Sequence, residues 1–214
     1  MPPLAPQPHP LDIALVGIGG YGNIYVSALL DELPRLAGST RLVAVADPNP
    51  SACVHLPELR ALGIPVFSNP EAMLLAHKPH LVVVSSPIQF HHDHVLLALS
   101  HDAHVLCEKP LCATVDQARS LAEAVRRSRK HVAVGYQWSF GDATQALKAD
   151  IRQGVLGAPR QLKTLVLWPR DERYYARNGW AGRLRDAAGR PVFDSPVNNA
   201  CAHFLHNMLY VLGD

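Results

Sequence analysis

Short apolar runs alternate with longer segments of helical spacing from residue 11 to about residue 135. The runs are rich in valine and bounded by turn residues, which is typical of strands buried on both faces of a parallel sheet. The alternation therefore predicts a doubly wound α/β domain, the Rossmann class, over residues 11–138. The six predicted strands are Leu11 to Gly17, Leu42 to Ala46, the neighbours of Val66, Leu81 to Ser85, Ala103 to Leu106 and His131 to Val134.

The segments between these strands repeat apolar residues at helical spacing, most clearly at Tyr21 to Leu33 and Thr114 to Arg127. Thr114 with Gln117 three residues later has the pattern of a capping box. The pattern changes at Ser139, and residues 139–214 are predicted to begin a second, α+β domain. Its predicted elements are a helix at Gly141 to Gln153, a strand at Arg160 to Trp168, a binding loop over 169–196 and a helix at Asn198 to Leu212.

Composition and charge exclude several classes of protein. Hydrophobic residues make up 48% of the chain and charged residues 18%, which is too apolar for a disordered protein. No apolar run approaches the roughly 18 residues of a membrane-spanning helix. Lys and Arg number 20 against 18 Asp and Glu, without a long basic block, so we expect neither a membrane nor a nucleic acid as partner.

Cysteine usage and the first ten residues bear on location. The four cysteines have no spacing typical of a zinc site or of a disulfide scaffold, which favours a reducing compartment. Residues 1–10 contain five prolines and no Lys or Arg, as expected for a flexible leader and not for a signal peptide. The prediction is a cytoplasmic protein.

The sequence GIGGYG at residues 17–22 fits the dinucleotide pattern G-x-G-x-x-G between a strand and a helix. Gly17 would make the tight turn, Gly19 would let the main chain approach a pyrophosphate, and Gly22 would allow close helix packing. Asp47 at the end of the next strand would accept hydrogen bonds from a ribose diol, and residues 48–50, directly after it, include no Arg, which favours NAD over NADP. A purely structural glycine turn and a turn-capping Asp47 are the alternatives. The predicted cofactor contacts in this segment are Gly17, Gly19, Gly20, Tyr21, Gly22 and Asp47.

Two further motifs follow strands at the same predicted sheet edge. SSPIQFH at residues 85–91 would run along the cofactor through Ser86, Pro87 and His91. Although His92 and His94 lie close by, adjacent histidines on a helix point in different directions, so no metal is predicted. CEKPL at residues 107–111 contributes Glu108 and Lys109, whose ammonium could hold a substrate oxygen. An ordinary surface ion pair is the alternative for these two residues.

The last predicted helix carries polar residues among apolar ones. Asn199, His203 and Asn207 are spaced four residues apart, and His206 lies beside them, so they would form one wall of a pocket. A core histidine satisfied by a neighbour is the alternative, and a metal bound by the histidine pair is disfavoured.

These motifs, together with GYQWSF at residues 135–140 and AHFLHNMLYVLG at residues 202–213, resemble the Gfo/Idh/MocA family of sugar and inositol dehydrogenases from Leu11 to Asp214. The resemblance implies an NAD(P)-binding Rossmann domain and a C-terminal domain with a large open sheet. It implies that Lys109 contacts substrate and nicotinamide ribose, that His203 is the acid/base and that Tyr136 borders the nicotinamide. Glu108 would join the cofactor contacts.

The chain departs from the family pattern D-x-G-x-H-x-x-D at three positions. Asn199 replaces the first Asp, Cys201 replaces Gly and His206 replaces the second Asp. An asparagine can orient a substrate, but it cannot stabilise an imidazolium as a carboxylate can. Residues 139–214 are also too few to form the family's usual sheet, so we expect a fragment or a truncated product.

The resulting hypothesis is an NAD-dependent dehydrogenase of a sugar, sugar acid or cyclitol, with Lys109 and His203 as catalytic residues. Aromatic faces and guanidinium groups suit such substrates. The alternatives are an NAD-dependent glycoside hydrolase or lyase and a non-catalytic NAD(P)-binding protein. We expect a polyol or sugar as partner and, for the full-length protein, a homo-oligomer. The predicted substrate contacts are Lys109, Trp168, Arg170, Trp180, Asn199, His203 and His206.

Overall fold

The computed structural model describes residues 10–32 and 39–213. All but the last residue of the predicted leader, and the predicted helix end at Leu33, lie outside these ranges. The chain divides into two compact units, residues 1–134 and 135–214.

A six-stranded parallel sheet forms the centre of the described part of the first unit, in the order β3-β2-β1-β4-β5-β6. The six predicted strands are therefore confirmed. Because the order reverses between β1 and β4, the carboxyl ends of these two strands border the crevice in which doubly wound folds bind ligands. The strands are β1 (Leu11–Val16), β2 (Thr40–Ala46), β3 (Val66–Phe67), β4 (Leu81–Val84), β5 (His104–Cys107) and β6 (Val132–Val134).

Helices cover both faces of the sheet. Ile13 and Leu15 of β1 pack in one core with Val26 and Leu59, whereas Ala14, the residue between them, packs in the other core. Burial on both faces explains why the strands are continuous apolar runs without polar alternation. The helices are α1 (Gly22–Glu32), α2 (Leu56–Ala61), α3 (Pro70–His77), α4 (Ile88–Ser100) and α5 (Val115–Ser128).

The second unit is helical in its described part, residues 135–213. A 3₁₀ turn at Gln137–Phe140 precedes α6 (Asp142–Arg152), and α6 packs on the last helix, where Lys148 Nζ donates to the Tyr210 carbonyl at 2.8 Å. A short helix, α7 (Glu172–Ala176), lies in the predicted loop. The final elements are a π-helical turn at Pro196–Ala200 and α8 (Ala202–Leu212).

Two predictions for this second unit are wrong. Arg160 to Trp168 is not a strand, because no described strand pairs with it; Leu165 and Leu167 are 82% and 83% exposed. An apolar, β-branched composition forms a strand only where a neighbour completes the hydrogen-bond ladder. The described residues 135–213 therefore lack the strand expected for an α+β domain, and hold one isolated bridge, Arg185 with Pro191.

The predicted final helix also begins later than expected. Pro196 starts a wide turn in which the Cys201 N–H donates to the Pro196 carbonyl, and regular α-helix begins only at Ala202. Asn199 is thus not on the same helix as His203 and Asn207, and the predicted stripe holds for the last two residues alone.

None of the helices in the described ranges is long and apolar enough to cross a membrane.

The capping box of α5 supplies a test of the local interpretation. The Gln117 N–H donates to Thr114 Oγ1 at 3.2 Å, and the Thr114 N–H donates to Gln117 Oε1 at 3.2 Å. We predict that Thr114→Ala lowers the free energy of unfolding by about 1 kcal/mol, because a helix N–H loses its acceptor. Urea denaturation followed by circular dichroism measures this. Thr114→Ser is the matched control, since it keeps the hydroxyl; equal stability of both variants would contradict the prediction.

Candidate functional site

The glycine loop, residues 17–22, connects β1 to α1 in a conformation that needs glycine. Gly17 has φ +86°, and a Cβ there would lie 2.7 Å from the Ser86 nitrogen. A Cβ on Gly22 would overlap the Gly17 carbonyl oxygen. Gly20 has φ +52°, and a Cβ there would meet nothing within 4 Å, while its carbonyl accepts from the Asn23 side chain at 3.1 Å. The loop therefore lies directly before the N-terminus of α1, where the helix dipole favours an anion.

Asp47, at the end of β2, holds the glycine loop. Its Oδ2 accepts from the Ile18 N–H at 2.9 Å and the Gly19 N–H at 3.2 Å, and its Oδ1 accepts from the Asn49 N–H at 2.8 Å. The bond from the Asn49 N–H is the contact that the turn-capping alternative for Asp47 predicts. An ionised carboxylate has about four acceptor sites, so these bonds leave capacity for a ribose hydroxyl.

Ser85 joins the end of β4 to the same loop. Its Oγ donates to the Gly17 carbonyl at 2.5 Å. Sequence reasoning did not single out this residue, although it is the first of two serines that end an apolar strand. The bond fixes the loop at the point where the strand order reverses.

The EKP turn, residues 108–110, follows β5 and is anchored to α1. Tyr25 Oη donates to Glu108 Oε1 at 2.7 Å, and the Lys109 N–H donates to Glu108 Oε2 at 3.0 Å. Burial raises the pKa of Glu108, while these two hydrogen bonds and the Lys109 charge oppose the rise. Burial, with the neighbouring Glu108 charge second, also raises the pKa of Tyr25, which therefore remains a donor.

This arrangement changes the role predicted for Glu108. Its side chain is buried and both oxygens accept hydrogen bonds from the protein, so it supports the backbone of Lys109 and does not reach outward to a cofactor. Tyr25, three residues after Gly22, was missed because a tyrosine inside an amphipathic helix has no motif that distinguishes it from a core residue.

His91 ties the EKP turn to the SSP turn, residues 85–87. The ring is 1% exposed; its Nδ1 lies 2.8 Å from the Pro110 carbonyl and its Nε2 lies 2.6 Å from the Ser86 carbonyl. Burial lowers the pKa of His91. The predicted direct contact between His91 and the cofactor is therefore wrong, because both nitrogens face main-chain carbonyls.

The neighbouring histidines have separate partners. His94 Nδ1 lies 2.9 Å from Ser86 Oγ, and burial lowers the pKa of His94 to about 4. His92 contacts Asp93 and Ser120. The Ser86 hydroxyl is thus turned into the protein, and Pro87 starts α4 as its N-cap. In residues 10–32 and 39–213 there is no group of three or more His, Cys, Asp or Glu side chains that could hold a metal ion.

In the second unit His203 lies in an aromatic cluster. It is buried, the ring of Trp138 stacks on it with centroids 4.6 Å apart, and the ring of Tyr136 meets it edge-on at 5.8 Å. His206 stacks on Tyr136 at 4.0 Å, and burial lowers the pKa of His206. His206 also lines an open cavity of about 290 Å³ together with Tyr136, Ser195 and Asn198. Of the predicted pocket-wall residues, His203 and His206 both contact Tyr136, and His206 is the one that lines this cavity.

Asn199 lies in the turn before α8, beside a carboxylate that sequence reasoning missed. Asn199 Nδ2 donates to Asp194 Oδ1 at 2.8 Å, and both residues are buried. The available signal was only an acid before Ser-Pro, which is typical of an ordinary turn. Asn207, on α8, accepts from Ser139 Oγ at 3.1 Å.

In and beside the predicted binding loop, two arginines each lie over two aromatic rings. The Arg170 guanidinium lies 3.9 Å from the Trp168 ring centroid and 4.7 Å from that of Tyr174. Arg177 lies over Tyr174 at 3.6 Å and over Trp180 at 5.4 Å. Cation–π contacts of this kind order the loop, and they bring Trp168, Arg170 and Trp180 into one continuous surface.

Together, the sheet order, the glycine loop and the acid at the end of β2 define a dinucleotide-binding domain. Residues 11–136 match the oxidoreductase family with an NAD-binding Rossmann fold, and the chain belongs to this Gfo/Idh/MocA family. The open space beside Gly20 and the acceptor at Asp47 fit a dinucleotide's pyrophosphate and ribose.

Related proteins carry the similarity beyond the Rossmann domain. A D-glucoside 3-dehydrogenase of Escherichia coli K12 is 33% identical over 207 residues, which cover 95% of this chain and 54% of that protein. An inositol 2-dehydrogenase of Rubrobacter xylanophilus is 34% identical over 148 residues, 69% of this chain and 41% of that protein. The chain thus spans about half the length of these curated relatives.

A solved structure confirms the fold. The WlbA dehydrogenase of Chromobacterium violaceum, in complex with NADH and UDP-GlcNAcA, superposes with a TM-score of 0.81 at 22% identity, covering 100% of this chain and 59% of that one.

Two glycines of the loop supply a matched pair of variants. Gly22→Ala drives a Cβ into a carbonyl oxygen, so we predict a loss of at least about 3 kcal/mol of stability, or failure to fold. Gly20→Ala meets nothing within 4 Å and carries only the cost of its left-handed φ, about 1 kcal/mol. Thermal unfolding of both variants measures the difference in their stability. A Gly22 variant as stable as the Gly20 variant would refute this loop geometry.

Acid should weaken the first unit through His91 and His94. Both pKa values are lowered from 6.5, that of His94 to about 4, so the unfolded chain binds protons that the folded chain does not. The contribution of the two neutral histidines to the free energy of unfolding is fully present above pH 6.5. It falls as the pH drops from 6.5 towards 4, by up to about 1.4 kcal/mol per pH unit for each histidine. Urea unfolding at several pH values tests this.

His94→Gln should reduce that pH dependence by about one proton. A pH dependence equal to that of the wild type would exclude His94 as a source of the acid sensitivity.

Proposed function

We propose that the chain carries the cofactor site and catalytic residues of an NAD-dependent dehydrogenase that acts on a hydroxyl-bearing carbon of a sugar, sugar acid or cyclitol. The observation that carries this proposal is the anchoring of the EKP turn, in which Glu108 and His91 hold the backbone around Lys109. Two relatives of the chain are named for oxidation of a glucoside and of inositol, which supports the substrate class.

The first unit is assigned to the cofactor. Bound NAD supplies a hydride acceptor at its nicotinamide ring. Asp47 would accept hydrogen bonds from the ribose diol, and Gly19, Gly20 and Tyr21 of the glycine loop would hold the pyrophosphate. Residues 47–53 contain no Lys or Arg that could pair with a 2′-phosphate, so NAD is favoured over NADP.

Lys109 and His203 are assigned to the chemistry. The ammonium of the half-buried Lys109 would polarise the substrate oxygen, and the bond from the Lys109 main-chain N–H to Glu108 holds its backbone. His203 would accept the proton of the reacting hydroxyl. Trp138 and Tyr136 pack against its ring and limit its rotation, which favours one orientation for proton transfer.

The remaining residues of the second unit are assigned to the substrate. Asn199 and His206 would hold hydroxyl groups, and Trp168, Arg170 and Trp180 would contact the sugar through faces and guanidinium edges. Tyr136 would border the nicotinamide. A cytoplasmic location and a homo-oligomeric longer protein belong to the same proposal; the four free cysteines are in keeping with a reducing compartment.

The test combines binding and turnover. Calorimetric titration of the purified chain with NADH and with NADPH should show micromolar binding that prefers NADH. Absence of NADH binding by a chain that circular dichroism shows to be folded would overturn the cofactor assignment. NAD binding without oxidation of any sugar or cyclitol in a broad panel would instead favour a non-catalytic binding protein.

Lys109→Ala separates catalysis from binding. We predict a loss of turnover of at least about 100-fold with much less effect on NADH affinity, because the lysine acts on the substrate oxygen. Lys130→Ala is the matched control, since Lys130 pairs with Asp102 at 2.9 Å and follows α5, before β6. Equal loss of turnover and NADH affinity in Lys109→Ala would rule out the role assigned to this lysine.

A further inference from the structure

Asp194 is a buried carboxylate that joins two separate segments of the second unit. It is 9% exposed. Its Oδ1 accepts from Asn199 Nδ2 at 2.8 Å, and its Oδ2 accepts from the Gly182 N–H at 2.7 Å. One side chain therefore connects the loop after α7 to the turn that precedes α8.

Both segments are held in restricted backbone conformations where they meet Asp194. Phe193 has φ +47°, which is unfavourable for a bulky residue, and Asn198 Nδ2 donates to its carbonyl at 3.1 Å. Gly182 has φ +68°, and a Cβ there would lie 2.6 Å from the Tyr175 ring. Strained backbone persists only where the surroundings over-determine it. The position of the Asp194 carboxylate is thus set from both sides.

The carboxylate decides which way the Asn199 amide faces. An ionised carboxylate only accepts hydrogen bonds, so the group that points at Asp194 must be the NH₂ of Asn199 and not its oxygen. Asn199 Oδ1 is consequently turned away from Asp194. Because Asn199 is itself buried, a rotation of its amide would place two oxygens in contact and leave a buried donor unsatisfied.

We propose that Asp194 is a positioning residue of the candidate site, which fixes the Asn199 amide so that its oxygen accepts a hydrogen bond from a hydroxyl group of the substrate. This inference rests on the proposed function, in which Asn199 contacts substrate. It makes the substrate group opposite Asn199 a neutral hydrogen-bond donor, as the hydroxyls of sugars and cyclitols are.

The geometry can be tested without turnover. In protein labelled with ¹⁵N-asparagine, the side-chain NH₂ signal that disappears in Asn199→Asp belongs to Asn199. We expect slow solvent exchange of that NH₂ in the wild type. In Asp194→Asn it should exchange at least about tenfold faster, because one amide oxygen must then serve the two donors Asn199 Nδ2 and the Gly182 N–H.

Asp186→Asn is the matched control. Asp186 is a carboxylate of the same loop that accepts main-chain N–H groups and pairs with Arg190 at 2.7 Å. Its replacement should leave the Asn199 exchange rate unchanged. An Asn199 NH₂ that responds equally to both substitutions, or to neither, would overturn the proposal.

Kinetics then test the link to substrate. Asp194→Asn should raise the KM for the polyol at least about tenfold and leave NADH affinity unchanged, because a misoriented amide weakens substrate binding. The double variant Asp194→Asn/Asn199→Asp exchanges the amide and the carboxylate. The NH₂ that it introduces at position 194 should exchange slowly with solvent, because a carboxylate at position 199 accepts from it. The KM should stay raised, since position 199 no longer carries an amide; a KM equal to that of the wild type would overturn the substrate role of Asn199.

These arms separate two kinds of failure. If no member of the sugar panel is oxidised, the proposed function fails, while the exchange measurement still decides whether Asp194 orients Asn199. If the panel contains a substrate and the KM is unchanged in Asp194→Asn, the positioning role fails and the dehydrogenase assignment stands.

Discussion

The carboxyl edge of the parallel sheet imposes the constraint on which the candidate cofactor site depends. Neighbouring strands end at this edge, and the chain leaves it in turns whose polar main-chain groups need partners when they are buried. Side chains supply these partners. Asp47 and Ser85 reach the glycine loop from other segments, where Asp47 accepts from two N–H groups and Ser85 donates to a carbonyl, and Glu108 accepts from the N–H of the next residue, Lys109. The backbone that would meet a cofactor is therefore positioned before any ligand arrives.

The same physical requirement organises the second unit, with fewer regular elements. Asp194 satisfies a main-chain N–H and a side-chain amide at once, and the aromatic rings of Tyr136 and Trp138 pack on His203. Such contacts hold polar groups in fixed directions at low exposure, and a displaced partner would leave a buried group unsatisfied. Specific orientation, more than burial of apolar area, is what these residues contribute.

The sequence predicted the sheet well because both faces are buried, so each strand is a run of valine and similar residues that no helix period explains. It predicted the glycine loop because collisions at Gly17 and Gly22 exclude any side chain. It failed at Arg160 to Trp168, where β-branched and apolar residues have no partner strand in the described part of the chain. It also failed at His91, whose motif position was correct but whose ring is turned inward.

Local pattern by itself therefore determined the fold class and the order of elements of the first unit, and the positions of the glycine, EKP and histidine motifs. These features follow from steric limits and hydrophobic periodicity, which act over a few neighbouring residues. Only the tertiary structure decided that Tyr25 supports Glu108, that His91 bridges two turns and that Asp194 orients Asn199. The Tyr25 and His91 contacts connect helices to turns. All three contacts depend on the direction of a side chain in the folded chain, which spacing along the sequence does not encode.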